Sequence, residues 1–162
     1  MVQNGTPLPG KLAGPPLSDR DAVADACYRA FLSIDQSDEE LLKSAVTPDV
    51  YTDIAFKVCD GYDELRNKVW TNVSENVDTI HYLNNVRVSV DTPTTARATF
   101  SAMAVHCVLG KGYEPDSTKF TTGAFYNCDA VKIEDGLWKL KMMKSTHIWS
   151  TGDRSIMHPP GQ

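Results

Sequence analysis

Hydrophobic and polar residues alternate along residues 95–109, which read TARATFSAMAVHCVL. This period of two predicts a β-strand with one buried face. The buried side is mostly alanine and ends near His106. Because alanines leave volume unfilled, this face borders either large side chains from a neighbouring layer or a cavity. A histidine that faces a cavity is a candidate acid–base group, whereas a lone histidine on an apolar face is usually a hydrogen-bonded core residue.

The N-terminal half of the chain predicts three helices. Apolar residues at helical spacing between positions 22 and 34 predict the first, with Ser18 or Asp19 as its cap. Residues 37–46 predict a second helix, whose first turn is acidic and therefore favoured by the helix dipole. Residues 62–75 predict the third. Between the second and third helices, residues 49–58 predict one short strand with Val50, Thr52, Ile54 and Phe56 on one side.

Beyond residue 75 every predicted element is a strand. The strands are expected at residues 79–90, 95–109, 118–133 and 137–150, with a loop at residues 111–116. Helices followed by a run of strands predict an α+β fold rather than alternating βαβ units. We expect a strongly curved, mostly antiparallel sheet wrapped over the N-terminal helices, which makes a cone-shaped α+β barrel around a cavity.

The strand at residues 79–90 has an inconsistent alternation. Its even valines predict a buried even side, yet the polar pair Asn84-Asn85 interrupts the pattern. A bulge there would switch sides and bring His81 to the core. A hairpin centred on Pro93 pairs positions that sum to twice 93, about 186, so His81 stands opposite about position 105. A one-residue bulge then brings His106 within cross-strand reach of His81.

The last strand is expected to place Trp138, Leu140 and Met142 on one side and His147 and Trp149 on the other, with His147 at the surface or an interface. An apolar outer face of the sheet would gather Val105, Leu109, Met143 and Trp149. Such a face predicts a homo-oligomer. A homodimer is the commonest solution, and a trimer is the alternative.

Composition narrows the class of protein. The 162 residues suit one domain, and the net charge of −5 without a basic run argues against nucleic acid or an anionic membrane as a partner. No apolar run approaches the roughly 20 residues that span a bilayer, and residues 1–19 lack the apolar segment of a secretory signal. Four separated cysteines show no metal spacing and predict buried free thiols in a cytoplasmic protein. We expect residues 1–17 to form a flexible arm, residues 18–153 the domain, and residues 154–162 a tail.

The order of elements, the His81-x-Leu83 strand opening, His106 late in the next strand and the ending DGLWK…W…GD resemble a known family. Residues 19–153 are similar to the SnoaL-like and scytalone dehydratase-like branch of the nuclear-transport-factor-2-like superfamily. The superfamily uses one cone for many activities, and some members have none.

The resemblance implies a site. In scytalone dehydratase-like enzymes two histidines and an aspartate from the end of the first helix meet in the pocket, and they correspond to His81, His106 and Asp35. The family's late-strand asparagine corresponds to Asn127. The family's substrate-binding tyrosines have no match, because Ile34 and Ile54 stand near their positions. Scytalone itself is therefore not the expected substrate.

Other residues are weaker candidates for substrate contacts. Asp53 is either solvated or a carboxylate base of the ketosteroid isomerase kind. Tyr28 and Tyr51 are either packing residues or pocket hydroxyls, and Trp70 and Phe125 are either core residues or aromatic pocket walls. Two histidines and an aspartate also allow a metal site, but we expect no metal and no cofactor, since acid–base use fits the family better.

The sequence and the resemblance together predict a cofactor-free enzyme of secondary metabolism, acting on a polyketide- or terpenoid-derived small molecule. The expected reaction is a dehydration, isomerisation or cyclisation, with His106 and Asp35 as the base and His81 as the hydrogen-bonding acid. The alternative is a non-catalytic member that binds a small molecule or dimerises.

Overall fold

The computed structural model describes residues 6–157 and consists of N-terminal helices against one six-stranded sheet. The helices are α1 Asp19–Asp35, α2 Glu39–Ala45, α3 Tyr62–Leu65 and α4 Thr71–Ser74, with a π-helical segment Arg66–Trp70 between the last two and a 3₁₀ helix Arg154–Met157 near the end. The strands are β1 Val46–Ile54, β2 Lys57–Asp60, β3 Val77–Thr92, β4 Thr95–Val108, β5 Lys119–Lys132 and β6 Trp138–Gly152.

The sheet has the order β2-β1-β6-β5-β4-β3 and is antiparallel except between β1 and β6. It is strongly curved and not closed, because β2 and β3 remain its two edges. The core lies between the concave face and the helices, where α1 packs together with residues 62–74, the continuous run of α3, the π-helical segment and α4 that is called the third helix below. The predicted α+β architecture with helices on a curved, mostly antiparallel sheet is confirmed.

Helix α1 sets the position of the site. The Ser18 side chain accepts a hydrogen bond from the amide of Asp21 and caps the N-terminus, as predicted. Val23, Ala26 and Ala30 lie on the buried stripe of the helix. Seventeen residues place Asp35 in the last turn of α1, beside the start of β3.

The predicted bulge in β3 is present. The β3–β4 register shifts between Asn84 and Arg87, and Asn85 has a left-handed φ of 56°. After the shift, His81 pairs directly with Ala104. The sequence placed His81 opposite about position 105, and the observed partner is Ala104. His106 lies diagonally across from His81 on the same face, within cross-strand reach as predicted.

The single strand predicted at residues 49–58 is wrong. Strand β1 already begins at Val46, inside the predicted second helix, and a hairpin turn separates β1 from β2. Ala55 and Phe56 form that turn with φ of 54° and 65°. Two successive left-handed residues are the signature of a type I′ turn, which normally carries Asn or Gly. The turn leaves the Phe56 side chain 81% exposed.

The expected alternation of β6 is wrong beyond Leu140. Register shifts opposite Asp129–Ala130 and Gly123–Ala124 insert extra residues into β6. The first shift turns Met143 into the core in place of Met142. His147 consequently pairs with Ala124 and borders the internal cavity, and Met143 does not belong to the outer face that the sequence predicted. Trp149 does lie on that face, because its ring covers the side of Gly123 that is shared with the exposed Met103.

The ends of the chain differ in part from the predicted arm and tail. Residues 6–17 form no helix or strand, and Lys11 Nζ donates to the carbonyl of Asp135 at 3.2 Å. Residues 154–157, predicted as tail, form the 3₁₀ helix and contact β4 and β5. The remaining parts of both predictions, residues 1–5 and 158–162, lie outside the described residues.

Candidate active site

An internal cavity of about 440 Å³ lies between α1, the third helix and the concave face of the sheet. Most of its wall is apolar: Ala30, Phe31, Ile34, Leu42, Ile54, Leu65, Val69, Trp70, Val73, Ala104, Phe120, Met143, Ile148 and Met157. Cavities of this size and lining are typical of small-molecule sites. Ala104 contributes part of the empty volume, since its methyl group projects into the space where a larger residue would reach across.

Asp35 and His81 form a buried pair at this wall. The carboxylate accepts a hydrogen bond from Nδ1 of His81 at 2.6 Å and another from the backbone amide of His81 at 2.9 Å. Both side chains are only 9% exposed. The carboxylate thereby fixes Nδ1 as the protonated nitrogen and leaves the lone pair of the neutral ring on Nε2, at the opposite edge. Within residues 6–157 no protein group bonds that Nε2 atom.

His106 has a different environment. Its Nδ1 lies 2.8 Å from Oγ1 of Thr79, its cross-strand partner. Burial, reinforced by the nearby His81 and partly opposed by Asp35, lowers the pKa of His106 to about 4. The ring is therefore neutral at pH 7 and carries one N–H and one lone pair.

The two imidazoles converge inside the cavity. Their centroids are 5.8 Å apart and their planes cross at 75°. Phe31 packs against His81 at 5.2 Å, and Phe120 lies over His106 at 6.2 Å. These aromatic neighbours pack against both rings and leave their remaining edges to the cavity, where a bound ligand could exchange protons with them.

Tyr126 is a cavity residue that the sequence analysis missed. Its ring is stacked on Phe100, and burial raises the pKa of its hydroxyl well above the usual range. The hydroxyl stays protonated at neutral pH and forms no hydrogen bond with the described residues. The signal was available, because Tyr126 shares the side of β5 that carries the buried Cys128 and Ala130.

The structure brings His81, His106 and Trp70 to the cavity wall, with Asp35 behind the ring of His81. Asp35 bonds to His81, so the predicted pairing of Asp35 with His106 as a base is wrong. Trp70 forms part of the wall, and its indole N–H donates to Oγ of Ser33 at 3.2 Å.

The other predicted contact residues lie elsewhere. Phe125 and Asn127 are on the outer face of β5, opposite Tyr126, because the alternation of that strand excludes them from the cavity. Tyr28 is 41% exposed on α1 and does not border the cavity. Tyr51 lies under Nζ of Lys144, and Asp53 pairs with Val58 and Lys144 in the sheet. Neither borders the cavity.

The mouth of the cavity is formed by the β1–β2 turn, the end of β6 and the 3₁₀ helix. Phe56 is stacked on His147 at 5.5 Å. Partial burial and the charge of Arg154 lower the pKa of His147. Lys57 also borders the cavity, and its Nζ donates to the carbonyl of Lys68 at 2.9 Å.

Three further features of the described chain concern its cysteines, metal binding and membrane spanning. All four cysteines are free and buried. Within residues 6–157, no three His, Cys, Asp or Glu side chains converge as a metal site requires. No helix in that range is long and apolar enough to cross a membrane.

A curved, open sheet over helices, with a carboxylate–histidine pair at an apolar cavity, defines a cone-shaped α+β protein with a candidate acid–base site. The family model of the SnoaL-like domain matches residues 15–144. The chain belongs to this SnoaL-like family, as the resemblance of residues 19–153 predicted.

Individual proteins similar to this chain are consistent with that family. The chain is 38% identical to the terrestric acid biosynthesis cluster protein E of Penicillium crustosum over 143 residues. This matched region covers 88% of this chain and 91% of that protein. The structure is similar to a candidate scytalone dehydratase from Novosphingobium aromaticivorans DSM 12444, with a TM-score of 0.69 and 18% identity over 83% of this chain and 87% of that one. It is also similar to a nuclear-transport-factor-2-like superfamily protein from Salmonella enterica, with a TM-score of 0.67 and 16% identity over 83% and 94% of the two chains.

Proposed function

We propose that the protein is a general acid–base enzyme of secondary metabolism that needs no cofactor. It would remove a proton from a carbon next to a carbonyl or hydroxyl group of a small molecule. The observation that carries the proposal is the buried Asp35–His81 pair, whose unbonded Nε2 edge lies at the wall of an apolar cavity beside a neutral His106. This arrangement supplies a base, its orienting carboxylate and a neutral donor within one enclosed space.

His81 is the base in this proposal. Its Nε2 takes the proton from the substrate carbon, and the electrons of the C–H bond move into the adjacent carbonyl to form an enolate. Asp35 stabilises the imidazolium that results, in the way that the aspartate of a catalytic triad does. The enclosed site keeps water from competing for the proton.

His106 and Tyr126 act as neutral hydrogen-bond donors. A histidine with a pKa of about 4 is a poor proton acceptor at pH 7, but its N–H donates to an oxygen on which negative charge develops. The Tyr126 hydroxyl has the same capacity. This assignment exchanges the roles that the sequence suggested for the two histidines.

The fate of the proton determines the reaction type. If His81 returns it to a β-hydroxyl group, the C–O bond breaks, a C=C bond forms and water leaves, which is a dehydration. If His81 returns it to another carbon of the enolate, the result is an isomerisation. Attack of the enolate carbon on a second carbonyl carbon of the same molecule breaks the π bond of that carbonyl, and the His81 imidazolium protonates the resulting alkoxide, which completes a cyclisation.

The substrate class is supported by the relative from a terrestric acid biosynthesis cluster. A relative with this name favours a role in the assembly of a secondary metabolite, and we propose a polyketide- or terpenoid-derived substrate. The apolar wall and the volume of about 440 Å³ suit a molecule of that kind. Free, buried thiols suit a reducing compartment, and we propose the cytoplasm.

A homodimer is proposed from the outer face of the sheet. Ile80, Tyr82, Met103 and Phe125 are large apolar side chains exposed on that face. Monomers rarely leave such a surface uncovered. Light scattering coupled to size-exclusion chromatography would distinguish a dimer from the alternative trimer or from a monomer.

The function is tested by comparing metabolites of the host with and without the gene. The compound that accumulates without the gene is then given to the purified protein and to His81→Asn. Turnover by the wild type and its loss in the variant, with ligand binding retained, supports the enzyme. The alternative, a non-catalytic binding member, predicts that the compound binds to both proteins and is converted by neither.

A further inference from the structure

The cavity wall has an unusual charge distribution for this chain. The protein carries 21 acidic and 16 basic residues. Nevertheless, among residues 6–157 the charged side chains that border the cavity are Lys57 and Arg154, and no carboxylate borders it. The nearest carboxylate in the catalytic arrangement, Asp35, lies behind the ring of His81 and is occupied by two hydrogen bonds.

The two cations differ in how far they are already engaged. Lys57 donates to a backbone carbonyl of the π-helical segment and so links the β1–β2 turn to the third helix. Arg154 begins the 3₁₀ helix and forms no ion pair with any other described residue. Its neighbour Asp153 forms no ion pair with it, and Oδ1 of Asp153 accepts from the amide of Ser155 instead.

Arg154 is exposed to solvent and also borders the cavity. It borders the cavity together with His147 and Ser150 of β6. Its charge reaches His147, which is stacked on Phe56 at the mouth. A guanidinium at this point presents a planar set of donors, and that set matches a carboxylate or another planar oxyanion.

We propose that Arg154 is a substrate-binding residue that recognises a negatively charged group, a carboxylate or the anion of an acidic enol, at the mouth of the cavity. The apolar body of the same molecule would lie against the apolar wall, in the space between the mouth and the two histidines. This inference rests on the proposed function for its substrate, but the recognition site itself is independent of turnover. It narrows the substrate from any apolar small molecule to an amphipathic acid.

The test uses two probes that differ only in charge, 2-naphthoate and 2-naphthamide. Trp70 borders the cavity, so its fluorescence reports binding of either probe. We expect the wild type to bind the acid at least about tenfold more tightly than the amide, and we expect the difference to shrink as salt is added.

Arg154→Gln should remove this preference and leave the amide affinity unchanged. Arg154→Lys should retain part of it, which separates loss of charge from loss of fold. Arg20→Gln is the matched control, because it removes the same charge from the exposed start of α1, about 15 Å along the helix from Ala30. A thermal melt of each variant verifies folding.

The proposal is overturned by equal affinity of the wild type for acid and amide, by binding of neither probe, or by a preference that survives Arg154→Gln. The outcome is separate from that of the proposed reaction. Loss of the acid preference in Arg154→Gln, together with full turnover in His81→Asn, would retain the recognition site and refute the catalytic role of His81.

Discussion

The carboxylate of Asp35 accepts from both the ring and the backbone amide of His81, at 2.6 and 2.9 Å. These two bonds join the C-terminal turn of α1 to the first part of β3. They fix the position of the carboxylate as well as the ring orientation, because Asp35 cannot rotate without losing one of them. A pair held in this way is suited to accept a proton repeatedly at one place.

Replacing Asp35 by Asn should reduce kcat on the order of 10²- to 10⁴-fold, the usual contribution of general acid–base catalysis. An uncharged amide neither stabilises the imidazolium nor enforces the Nδ1–H tautomer. Steady-state kinetics on the compound that accumulates without the gene would measure this. Asp53→Asn is the control, since Asp53 does not border the cavity. Comparable loss in both variants would refute a specific role of Asp35.

His106 should make the stability of the fold depend on pH. Its folded pKa of about 4 lies below the unfolded value of about 6.5, so the unfolded chain binds more protons between these pH values. The stabilisation is fully present above about pH 6.5 and is lost as pH falls towards 4, by about 3 kcal/mol in total. Urea unfolding at pH 7, 5.5 and 4 measures it.

His106→Asn is the comparison for that experiment, because carboxylates elsewhere also respond to acid. As pH falls, the free energy of unfolding should decrease more for the wild type than for the variant. Parallel pH curves for the two proteins would show that His106 titrates normally and is not buried in its neutral form.

The empty volume beside His81 should tolerate a larger side chain. Ala104→Leu extends into the cavity, whereas Ala98→Leu, on the same face of β4, enters a packed part of the core. Overpacking typically costs about 1–3 kcal/mol, so we expect that loss for Ala98→Leu and less than about 1 kcal/mol for Ala104→Leu. Urea unfolding of both variants decides, and equal destabilisation would mean that no cavity lies beneath Ala104.

Ser33 should stabilise the aromatic wall. Its buried Oγ accepts from the indole N–H of Trp70 and donates to the carbonyl of Ala30. Ser33→Ala leaves the buried indole without an acceptor, which costs about 1–3 kcal/mol. Ser89→Ala, on an exposed strand position, is the control. A change in unfolding free energy that is no larger for Ser33→Ala than for this control would contradict the assignment.

The sequence predicted the fold where its local signals agreed with the final structure. The helical stripe of α1 and its Ser18 cap were correct, and so was the bulge at Asn84-Asn85, because the valines and His81 demand opposite sides of one strand. The Ala55-Phe56 turn was missed, since neither residue is a usual type I′ turn former.

The site was predicted as a group of residues but not in its pairing. Strand alternation and the resemblance brought Asp35, His81 and His106 together, yet the hydrogen bond of Asp35 depends on where α1 ends relative to β3, which no local pattern encodes. The alternation of β5 places Tyr126 on the cavity side and Asn127 on the outer side, whereas the resemblance had indicated Asn127 as the cavity residue. The bulges of β6 were missed because adjacent Met142 and Met143 satisfy either side of the strand.

The central claim is that Nε2 of His81 removes a proton from a ligand in the cavity. It is tested most directly by the turnover of the accumulating compound by wild type and His81→Asn, with ligand affinity measured on both proteins. The account predicts a loss in kcat of at least about a hundredfold, with affinity changed only a few-fold. Turnover by His81→Asn at the wild-type rate would contradict it.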